Sequence, residues 1–475
     1  MQPKILVKIS PMNTAPYLIE LTNAWIEAHR DDIVQTLADL VRIPSIIGNE
    51  APAQAFMRAH YESLNLEIDE FEPSREALSQ HPAFVDSGIP FAGRRNVVGV
   101  LEKSAKREGQ KGQKGRRIIL NGHTDLVSVE PRSAWTHEPF GAEVIGRDMT
   151  QDRDAAADYS RWRVPTLGRM YGRGTQDMKS GLIANLFAVK ALQACGIKLN
   201  GDVILQSVIE EESGGGGGTL ACFERGYKAD GFIATEPHWI DVCVAHPGIL
   251  YFRVVVEGKS AHAGRAHLGV NAAVEAAPII SMLGAWDQER AETKHYEPFE
   301  RSNPAARRSC HLNVGVVRAG DWPSTVPGRC EIEVRLSFIP GESEATMKRE
   351  IEARVSAISQ TSAWLCEHPP RIEYFGWHTE PWIQDERHPF VQEFLNVVTQ
   401  TRGGNDPLPQ VMGMTAGLDS RFAALYDVPA FCWGPKGANM HGADEYVELD
   451  SVIAVTRTLA AFLMEWCGVS PVTSH

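Results

Sequence analysis

The chain has 475 residues, of which 43% are hydrophobic and 23% charged, and its formal net charge is −13. This length accommodates two or three domains with separate cores, and the composition is ordinary for a globular protein. The negative charge argues against a nucleic-acid or membrane-surface partner, and no apolar run approaches the roughly 20 residues that a membrane span requires.

Eight cysteines are scattered along the chain without a C-x-x-C pair, and several lie within apolar runs. This pattern is typical of buried, reduced thiols and not of a disulfide framework. The N-terminal residues, M-Q-P-K-I-L-V-K-I-S-P, contain no apolar stretch of the kind found in a secretory signal. We therefore expect a cytoplasmic protein.

The first half of the chain alternates predicted helices with predicted strands. Helical periodicity extends over residues 24–41 and 51–64. Short apolar segments predict four strands, at 95–101, 118–120, 202–209 and 230–234. The strand at 202–209 is apolar almost throughout, as expected in a parallel sheet covered on both faces. The alternation predicts a doubly wound α/β domain.

Two polar segments interrupt this pattern. Residues 103–117 are basic and broken by glycines, and in so acidic a chain we interpret them as a solvated surface loop or hairpin. Residues 148–169 are aperiodic and rich in charges of both signs, which predicts a long surface insertion.

The stretch from Met170 to Gly181 reads M-Y-G-R-G-T-Q-D-M-K-S-G and precedes a predicted apolar helix at 182–192. Loops at the mouth of an α/β sheet are where such folds bind ligands. A glycine-rich turn before a helix often serves packing or holds a phosphate. Here Asp177 takes the place of the third glycine of a dinucleotide fingerprint, which argues against a nucleotide and leaves a metal ion open.

After residue 244 the pattern changes to βαββαβ, the order of a split-βαβ, ferredoxin-like domain. Its elements are predicted at 250–256, 271–286, 311–318, 331–338, 342–358 and 370–375. The chain then returns to the first domain through a helix at 388–399, a strand at 429–433 and a helix at 450–466. We predict an α/β domain built from residues 1–244 and 379–475, with residues 245–378 inserted as a second domain.

Several residues that can bind metal ions follow predicted strands or lie in adjoining loops. Together with Asp177 they form a set of two histidines and three carboxylates, completed by His123, Glu212, Glu236 and His441. Imidazole and carboxylate suit zinc, and cobalt or manganese are also possible. If one carboxylate bridges, five ligands can hold two ions that share a water molecule. Taken singly, a histidine after a strand is more often a core residue, and adjacent glutamates are more often a solvated face.

Five motifs occur in the order of a known family: H-T-D at 123–125, G-R-G-T-Q-D-M-K at 172–179, E-E-E-S-G at 210–214, T-E-P at 235–237 and H-G-A-D-E-Y at 441–446. Together they resemble the dinuclear-zinc amidohydrolases, the family of acetylornithine deacetylase, succinyl-diaminopimelate desuccinylase, aminoacylase and glutamate carboxypeptidase. The resemblance spans nearly the whole chain. It implies a zinc-peptidase-like catalytic domain with an inserted lid and dimerisation domain.

The resemblance also implies a role for each motif residue. Asp177 would bridge two Zn²⁺ ions, and its peptide bond to Met178 would be cis. His123 and Glu236 would bind one ion, and Glu212 and His441 the other. Glu211 would be the general base that takes a proton from the bridging water, and Asp125 would orient His123.

In the inserted domain, the resemblance assigns His262, in G-K-S-A-H-A-G, to the oxyanion site of the neighbouring subunit in a homodimer. Asn313 and Arg335 resemble the pair that holds a substrate carboxylate, although Arg335 could equally form an ordinary strand ion pair. The chain departs from the family at Ser324-Thr-Val-Pro327 and in the substrate loop T-A-G-L-D-S-R, which contains Gly417.

These departures leave the acyl and amino groups of the substrate open. We predict a metal-dependent hydrolase of the C–N amide bond of a small N-acyl amino acid or a related amide, of the deacetylase type. A dipeptidase or carboxypeptidase and an N-formyl or N-carbamoyl amide hydrolase are the alternatives within this class. A non-catalytic binding protein on the same fold is the alternative outside it.

Overall fold

The computed structural model describes residues 14–102, 115–146, 167–237, 241–302, 305–402 and 409–470. Two sequence interpretations lie mostly outside these ranges: the basic loop at 103–117 and the insertion at 148–169. Among the described residues, no helix combines the length and the apolarity required to cross a bilayer.

The strands, in chain order, are β1 (Glu67–Phe71), β2 (Asn96–Leu101), β3 (Ile118–His123), β4 (Glu143–Ile145), β5 (Arg169–Tyr171), β6 (Val203–Val208), β7 (Phe232–Ala234), β8 (Val242–Cys243), β9 (Ala245–His246), β10 (Gly248–Glu257), β11 (Leu312–Ala319), β12 (Arg329–Phe338), β13 (Arg371–Thr379), β14 (Trp382–Ile383), β15 (Val411–Met412), β16 (Ala430–Cys432), β17 (Gly437–Ala438) and β18 (Tyr446–Glu448).

The helices, in chain order, are α1 (Thr14–Ala28), α2 (Arg30–Val41), α3 (Ala51–Ser63), α4 (Arg75–Leu78), α5 (Ser180–Ala194), α6 (Ala221–Glu224), α7 (Ala272–Thr293), α8 (Glu297–Ser302), α9 (Glu344–Ser359), α10 (Ala363–Glu367), α11 (Pro389–Thr401), α12 (Ser420–Ala424) and α13 (Leu449–Cys467).

Over the described residues, the main sheet has eight strands in the order β1-β2-β6-β3-β7-β16-β8-β15. Its centre is parallel, since β3 runs parallel to both β6 and β7, whereas β1 and β2 are antiparallel additions at one edge. Side chains alternate between the two faces, so that Ile118 and Leu120 join one apolar core and Ile119 the other. Helices α5, α11 and α13 cover the first core, and α6 and α12 cover the second. This arrangement confirms the predicted doubly wound domain.

The inserted domain has a four-stranded antiparallel sheet in the order β11-β12-β10-β13. With α7 and α9 between its strands, it confirms the predicted βαββαβ order. The apolar core lies on one face of this sheet and includes Phe252, Val254 and Val334 together with Ile279 and Ile351 of the two helices. The other face, which we call the open face, carries polar and charged side chains.

The structure divides one predicted helix and adds strands that the sequence did not predict, among them β1, β8 and β15 of the main sheet. The single helix predicted at 24–41 is two helices, because His29 leaves helical backbone angles and its Nδ1 binds the Trp25 carbonyl oxygen at 2.7 Å. A small sheet, β17-β18-β5-β4, was not predicted. Its strands are two or three residues long, too short to show an alternating pattern.

Candidate metal centre

The topology of the main sheet brings three of the motifs together. His123 is the last residue of β3, and Glu211 and Glu212 follow β6. Glu236 follows β7 after Thr235. Because β3 is parallel to both β6 and β7, the C-terminal ends of these strands lie at one edge of the sheet.

The Asp177 loop reaches the same edge between β5 and α5. Gly174 has a left-handed φ of 82°, and a Cβ there would lie 2.4 Å from the Leu126 side chain, so this turn requires glycine. The peptide bond between Asp177 and Met178 is cis, as the resemblance predicts.

The small sheet positions His441, the fifth of the predicted metal ligands. Strand β18 pairs antiparallel with β5, and Tyr446 lies opposite Tyr171. This pairing places the loop that contains His441 beside the loop that contains Asp177. The His441 side chain is 52% exposed, whereas the other side chains of the centre are buried, so the centre opens to solvent on the His441 side.

The Asp177 carboxylate lies between the two histidines. Its Oδ1 is 3.1 Å from His123 Nε2, and its Oδ2 is 3.3 Å from His441 Nε2. His123 Nε2 is also 3.5 Å from Glu236 Oε1, and His441 Nε2 is 3.0 Å from Glu212 Oε2. Each half of the centre thus contains one imidazole and one glutamate, with Asp177 shared.

Ligand-type atoms within 4.8 Å of one another form two groups, His123–Asp177–Glu212 and His123–Glu211–Glu236. Both groups contain His123, whereas the predicted ligands include His123 for one ion and His441 for the other. The two oxygens of Asp177 nevertheless face different imidazoles, which favours the predicted division.

The electrostatics of the centre favour cations. Burial raises the pKa of Glu211 well above its usual value, and the charge of Glu236 raises it further. Burial also acts to raise the pKa of Asp177, but hydrogen bonds from His123 and His441 outweigh it and hold that pKa below its usual value. Within the described residues, no lysine or arginine forms an ion pair with these carboxylates. The four carboxylates of Asp177, Glu211, Glu212 and Glu236 therefore face two histidines alone, and this excess of buried negative charge fits divalent metal ions.

Asp125 lies beside His123, the residue that it is predicted to orient. Its backbone carbonyl oxygen lies 2.9 Å from His123 Nδ1, whereas its carboxylate is 3.5 Å from that nitrogen. The carboxylate instead accepts hydrogen bonds from the backbone N–H groups of Glu211, at 3.2 Å, and Glu212, at 3.0 Å. Burial raises the pKa of Asp125 to about 7. Asp125 therefore contacts both His123 and the loop with the two glutamates.

Two residues that the sequence reasoning did not single out hold the Asp177 loop. Glu445 Oε1 accepts hydrogen bonds from the backbone N–H groups of Gln176, at 3.0 Å, and Asp177, at 3.1 Å. Arg173 donates to the other carboxylate oxygen at 2.5 Å. Burial raises the pKa of Glu445 to about 7. Both residues lie within the motifs that carry the family resemblance, and this position in the sequence could have indicated their role at the centre.

The predicted substrate residues of the inserted domain have their polar contacts within that domain. Asn313 and Arg335 are direct partners in the β11–β12 register, and Tyr251 lies opposite Arg335 on β10. Burial lowers the pKa of Arg335, against a hydrogen bond with Tyr251 that acts to raise it, and among the described residues this arginine forms no ion pair with a carboxylate. His262 is exposed, and its Nδ1 accepts a hydrogen bond from the backbone N–H of Gly264.

Gly417 lies where the two domains meet. A Cβ at this position would be 2.5 Å from the ring of Trp377, a residue of β13. In the helix that follows, α12, Arg421 donates to the Gly214 carbonyl oxygen at 2.6 Å and so contacts the loop that follows Glu212. Gly417 thus precedes a helix that contacts this loop, whereas in the described residues no hydrogen bond or ion pair links Asn313, Arg335 or His262 to the centre.

Comparison with known proteins yields one family. The model for Peptidase family M20/M25/M40 matches residues 119–465. The chain is 26% identical to the N-formyl-4-amino-5-aminomethyl-2-methylpyrimidine deformylase of Halalkalibacterium halodurans, over 95% of this chain and 98% of that protein. It is also 26% identical to the succinyl-diaminopimelate desuccinylase of Cupriavidus necator, over 73% of this chain and 81% of that protein.

Solved structures share the fold. Human carnosine dipeptidase 1 superposes with a TM-score of 0.66 at 15% identity, covering 94% of this chain and 99% of that one. The family match covers most of the chain and includes the strand ends and loops that form the centre. The chain therefore belongs to Peptidase family M20/M25/M40 and is a metal-dependent hydrolase of amide bonds in small molecules.

Proposed function

We propose that this protein hydrolyses the C–N amide bond of a small N-acyl amino acid or a related amide at a centre of two divalent metal ions. The observation that carries the proposal is the position of Asp177, whose two carboxylate oxygens face His123 and His441 separately. A carboxylate placed in this way suits a ligand shared between two ions.

The position of Asp177 between the two histidines divides the five predicted ligands between two sites. His123 and Glu236 would hold one ion, Glu212 and His441 the other, and Asp177 would serve both. Zinc is the ion that suits this mixture of imidazole and carboxylate best, with cobalt or manganese as substitutes. When bound, such ions polarise a substrate carbonyl and lower the pKa of a coordinated water molecule.

Glu211 is the proposed general base. It precedes Glu212, and its Oε2 lies 3.9 Å from His123 Nε2, so its carboxylate borders the first site. Burial, together with the charge of Glu236, raises the pKa of Glu211, which makes its ionised carboxylate a stronger proton acceptor. A carboxyl group with a raised pKa can accept a proton from the attacking water and pass it to the leaving amine nitrogen.

The open face of the inserted domain is the proposed site for a substrate carboxylate. Arg253, on the same face, is paired with Glu333 at 2.7 Å and with Glu373 at 3.3 Å. Arg335 lies on the same face, opposite Tyr251 and two residues along β12 from Glu333, and forms no ion pair with a carboxylate in the described part of the chain. A guanidinium that lacks a carboxylate partner is suited to bind one from a substrate, with Asn313 beside it.

A homodimer would bring His262 to the centre of the neighbouring subunit. The surface around His262 supports a protein contact, since Leu268 and Trp322 are 53% and 68% exposed. A cavity of about 470 Å³ adjoins them, lined by residues of the His262 turn and the loop after β11. In such a dimer, His262 would donate a hydrogen bond to the oxyanion of the partner's substrate.

Hydrolysis of an N-formyl amide is the second candidate. The observation that favours it is the 26% identity to a deformylase over 95% of the chain, a longer match than that to the desuccinylase. The two candidates differ in the acyl group and share the metal centre.

The test is activity of the zinc- or cobalt-loaded protein against a panel of N-acetyl and N-succinyl amino acids, dipeptides, and N-formyl and N-carbamoyl compounds. We expect hydrolysis of at least one linear amide, with chelator-treated protein inactive. A protein that binds two ions and cleaves none of these compounds would contradict the proposal. Preference for the formyl compounds would favour the second candidate.

A further inference from the structure

Glu210 is the first residue of the E-E-E run and has no place in either metal site. It is nevertheless buried, with 1% of its surface exposed. Its φ of 68° is left-handed, a conformation that is unfavourable for a residue with a side chain. Its surroundings show what holds it in this conformation.

The Glu210 carboxylate accepts three hydrogen bonds. Oε1 accepts from Ser87 Oγ at 2.5 Å and from Arg94 Nη1 at 3.2 Å, and Oε2 accepts from the backbone N–H of Gly217 at 3.1 Å. Arg94 is itself buried and also donates to both carboxylate oxygens of Glu50, at 2.8 and 2.5 Å. The first glutamate of the run is thus anchored to a segment more than one hundred residues earlier in the chain.

The glycines after Glu212 allow this segment to approach. A Cβ at Gly217 would lie 2.5 Å from the Phe91 ring and 2.6 Å from Glu210 Oε2. A Cβ at Gly214 would lie 2.9 Å from the Val85 side chain. Glycine at these positions lets the segment around residues 84–94 pack directly onto the loop that carries the two functional glutamates.

The turn from Glu210 to Ser213 is therefore held from two sides. On one side, the Asp125 carboxylate binds the backbone N–H groups of Glu211 and Glu212. On the other side, Arg94 and Ser87 bind the Glu210 side chain. Between these anchors, Glu212 approaches His441, while Glu211 approaches His123.

We propose that Glu210 is a positioning residue, whose bonds to Arg94, Ser87 and the Gly217 N–H direct Glu211 and Glu212 towards different halves of the metal centre. This inference rests on the proposed function only for the roles of Glu211 as base and Glu212 as ligand. Loss of the Glu210 carboxylate frees the turn on one side, so that Glu212 binds its ion less well and Glu211 is misplaced.

Two substitutions of Glu210 separate the loss of its side chain from strain in the backbone. Glu210→Gly removes the side chain but tolerates the left-handed φ, whereas Glu210→Ala removes the side chain and also strains the backbone. We expect both variants, and Arg94→Met, to bind the weaker of two Co²⁺ ions about 10- to 100-fold less tightly, as is usual when an outer partner of a ligand is lost. We expect kcat to fall by a similar factor, with KM changed little.

The matched control is Arg290→Met in the inserted domain. Arg290 is also a buried arginine that binds both oxygens of a glutamate, Glu342, at 3.1 and 2.6 Å. Both arginine variants should lower the unfolding temperature, but only Arg94→Met should weaken Co²⁺ binding. If Arg94→Met does not fold, Arg94→Lys replaces it, because lysine keeps the charge but cannot reproduce the fork to Glu50 and Glu210.

The experiment titrates metal-stripped protein with Co²⁺ against a competing chelator, and measures kcat and KM in parallel. Wild-type Co²⁺ affinity in Glu210→Ala and Arg94→Met would overturn the proposal. Wild-type Co²⁺ affinity in Glu210→Gly would also overturn it, because the turn would then need only a residue that tolerates a left-handed φ. An equal loss of Co²⁺ affinity in Arg290→Met would overturn it as well, because the effect would then not be specific to Arg94. If wild-type protein cleaves no amide, the proposed function fails, but the Co²⁺ titrations still decide the role of Glu210.

Discussion

At the C-terminal edge of the main sheet, the predicted metal ligands and Glu211 lie within 3.9 Å of a neighbouring member of the same group. On the inserted sheet, the predicted residues Asn313, Arg335 and His262 form no hydrogen bond or ion pair with that group in the described part of the chain. The members of the first group are in contact within a single chain. The second can act only through the position of the inserted domain or through another subunit.

The difference has a topological cause. Strand ends of a parallel sheet meet whatever the sequence between them, so that residues 88 and 113 positions apart become neighbours. A domain inserted through two connections can change its orientation as a body, and its side chains reach a distant site only in some orientations. The following variants test each side of this comparison.

The largest effect is expected for Asp177→Ala, which removes the carboxylate shared by the two halves of the centre. We expect elemental analysis to find at most one tightly bound ion per chain in place of two. Loss of several kcal/mol of transition-state stabilisation should reduce kcat/KM by roughly 10³-fold or more. Asp202→Asn, an aspartate paired with Arg117 away from the centre, is the control. Two ions retained in Asp177→Ala would reject the bridging role.

Glu211→Gln should separate chemistry from metal binding. The amide cannot accept the proton, so kcat should fall by about 10²–10⁴-fold while both ions remain bound. The neighbouring variant Glu212→Gln should lose affinity for one ion as well as activity. Turnover near that of the wild type in Glu211→Gln would show that another group is the base.

His262→Ala tests whether the second region acts across a dimer. We expect kcat to fall by about 10²–10³-fold with both ions retained, as for the loss of one oxyanion donor. His267→Ala, an exposed histidine on the same turn, should be close to wild type.

A mixing experiment then locates the histidine. Mixed dimers of His262→Ala with Glu211→Gln should regain activity at one of the two sites, because one site then contains both wild-type residues. A mixture that stays inactive although the subunits exchange would mean that His262 does not act in the neighbouring subunit.

The smallest effect is expected for Arg335→Ala. Loss of a charge-assisted hydrogen bond of about 1.5–3 kcal/mol should raise KM for a carboxylate substrate by about 10- to 100-fold, with less change in kcat. Arg253→Ala is the matched control, since it lies on the same face but is paired with Glu333 and Glu373. Similar kinetic changes in both variants would argue against a specific carboxylate site at Arg335.

Much of the architecture was predictable because the order of apolar and polar residues along each segment indicates its secondary structure. The continuous apolar run of β6 predicted a buried parallel strand, and the alternation in β10 and β12 predicted the inserted sheet. The small sheet was not predictable, since β5 and β18 are each three residues long and separated by hundreds of residues. The break at His29 is a change in the backbone angles of a single residue, which helical periodicity does not encode.

By itself, the sequence determined which residue types stand at the ends of the strands and in which order. It therefore indicated a metal centre of His123, Asp177, Glu212, Glu236 and His441, because the period and polarity of a strand are local properties. Only the tertiary structure decided what holds those side chains. Glu445 binds the Asp177 loop from 268 residues away, and Arg94 binds Glu210 across 116 residues. Such contacts depend on how distant segments pack, and no local pattern specifies them.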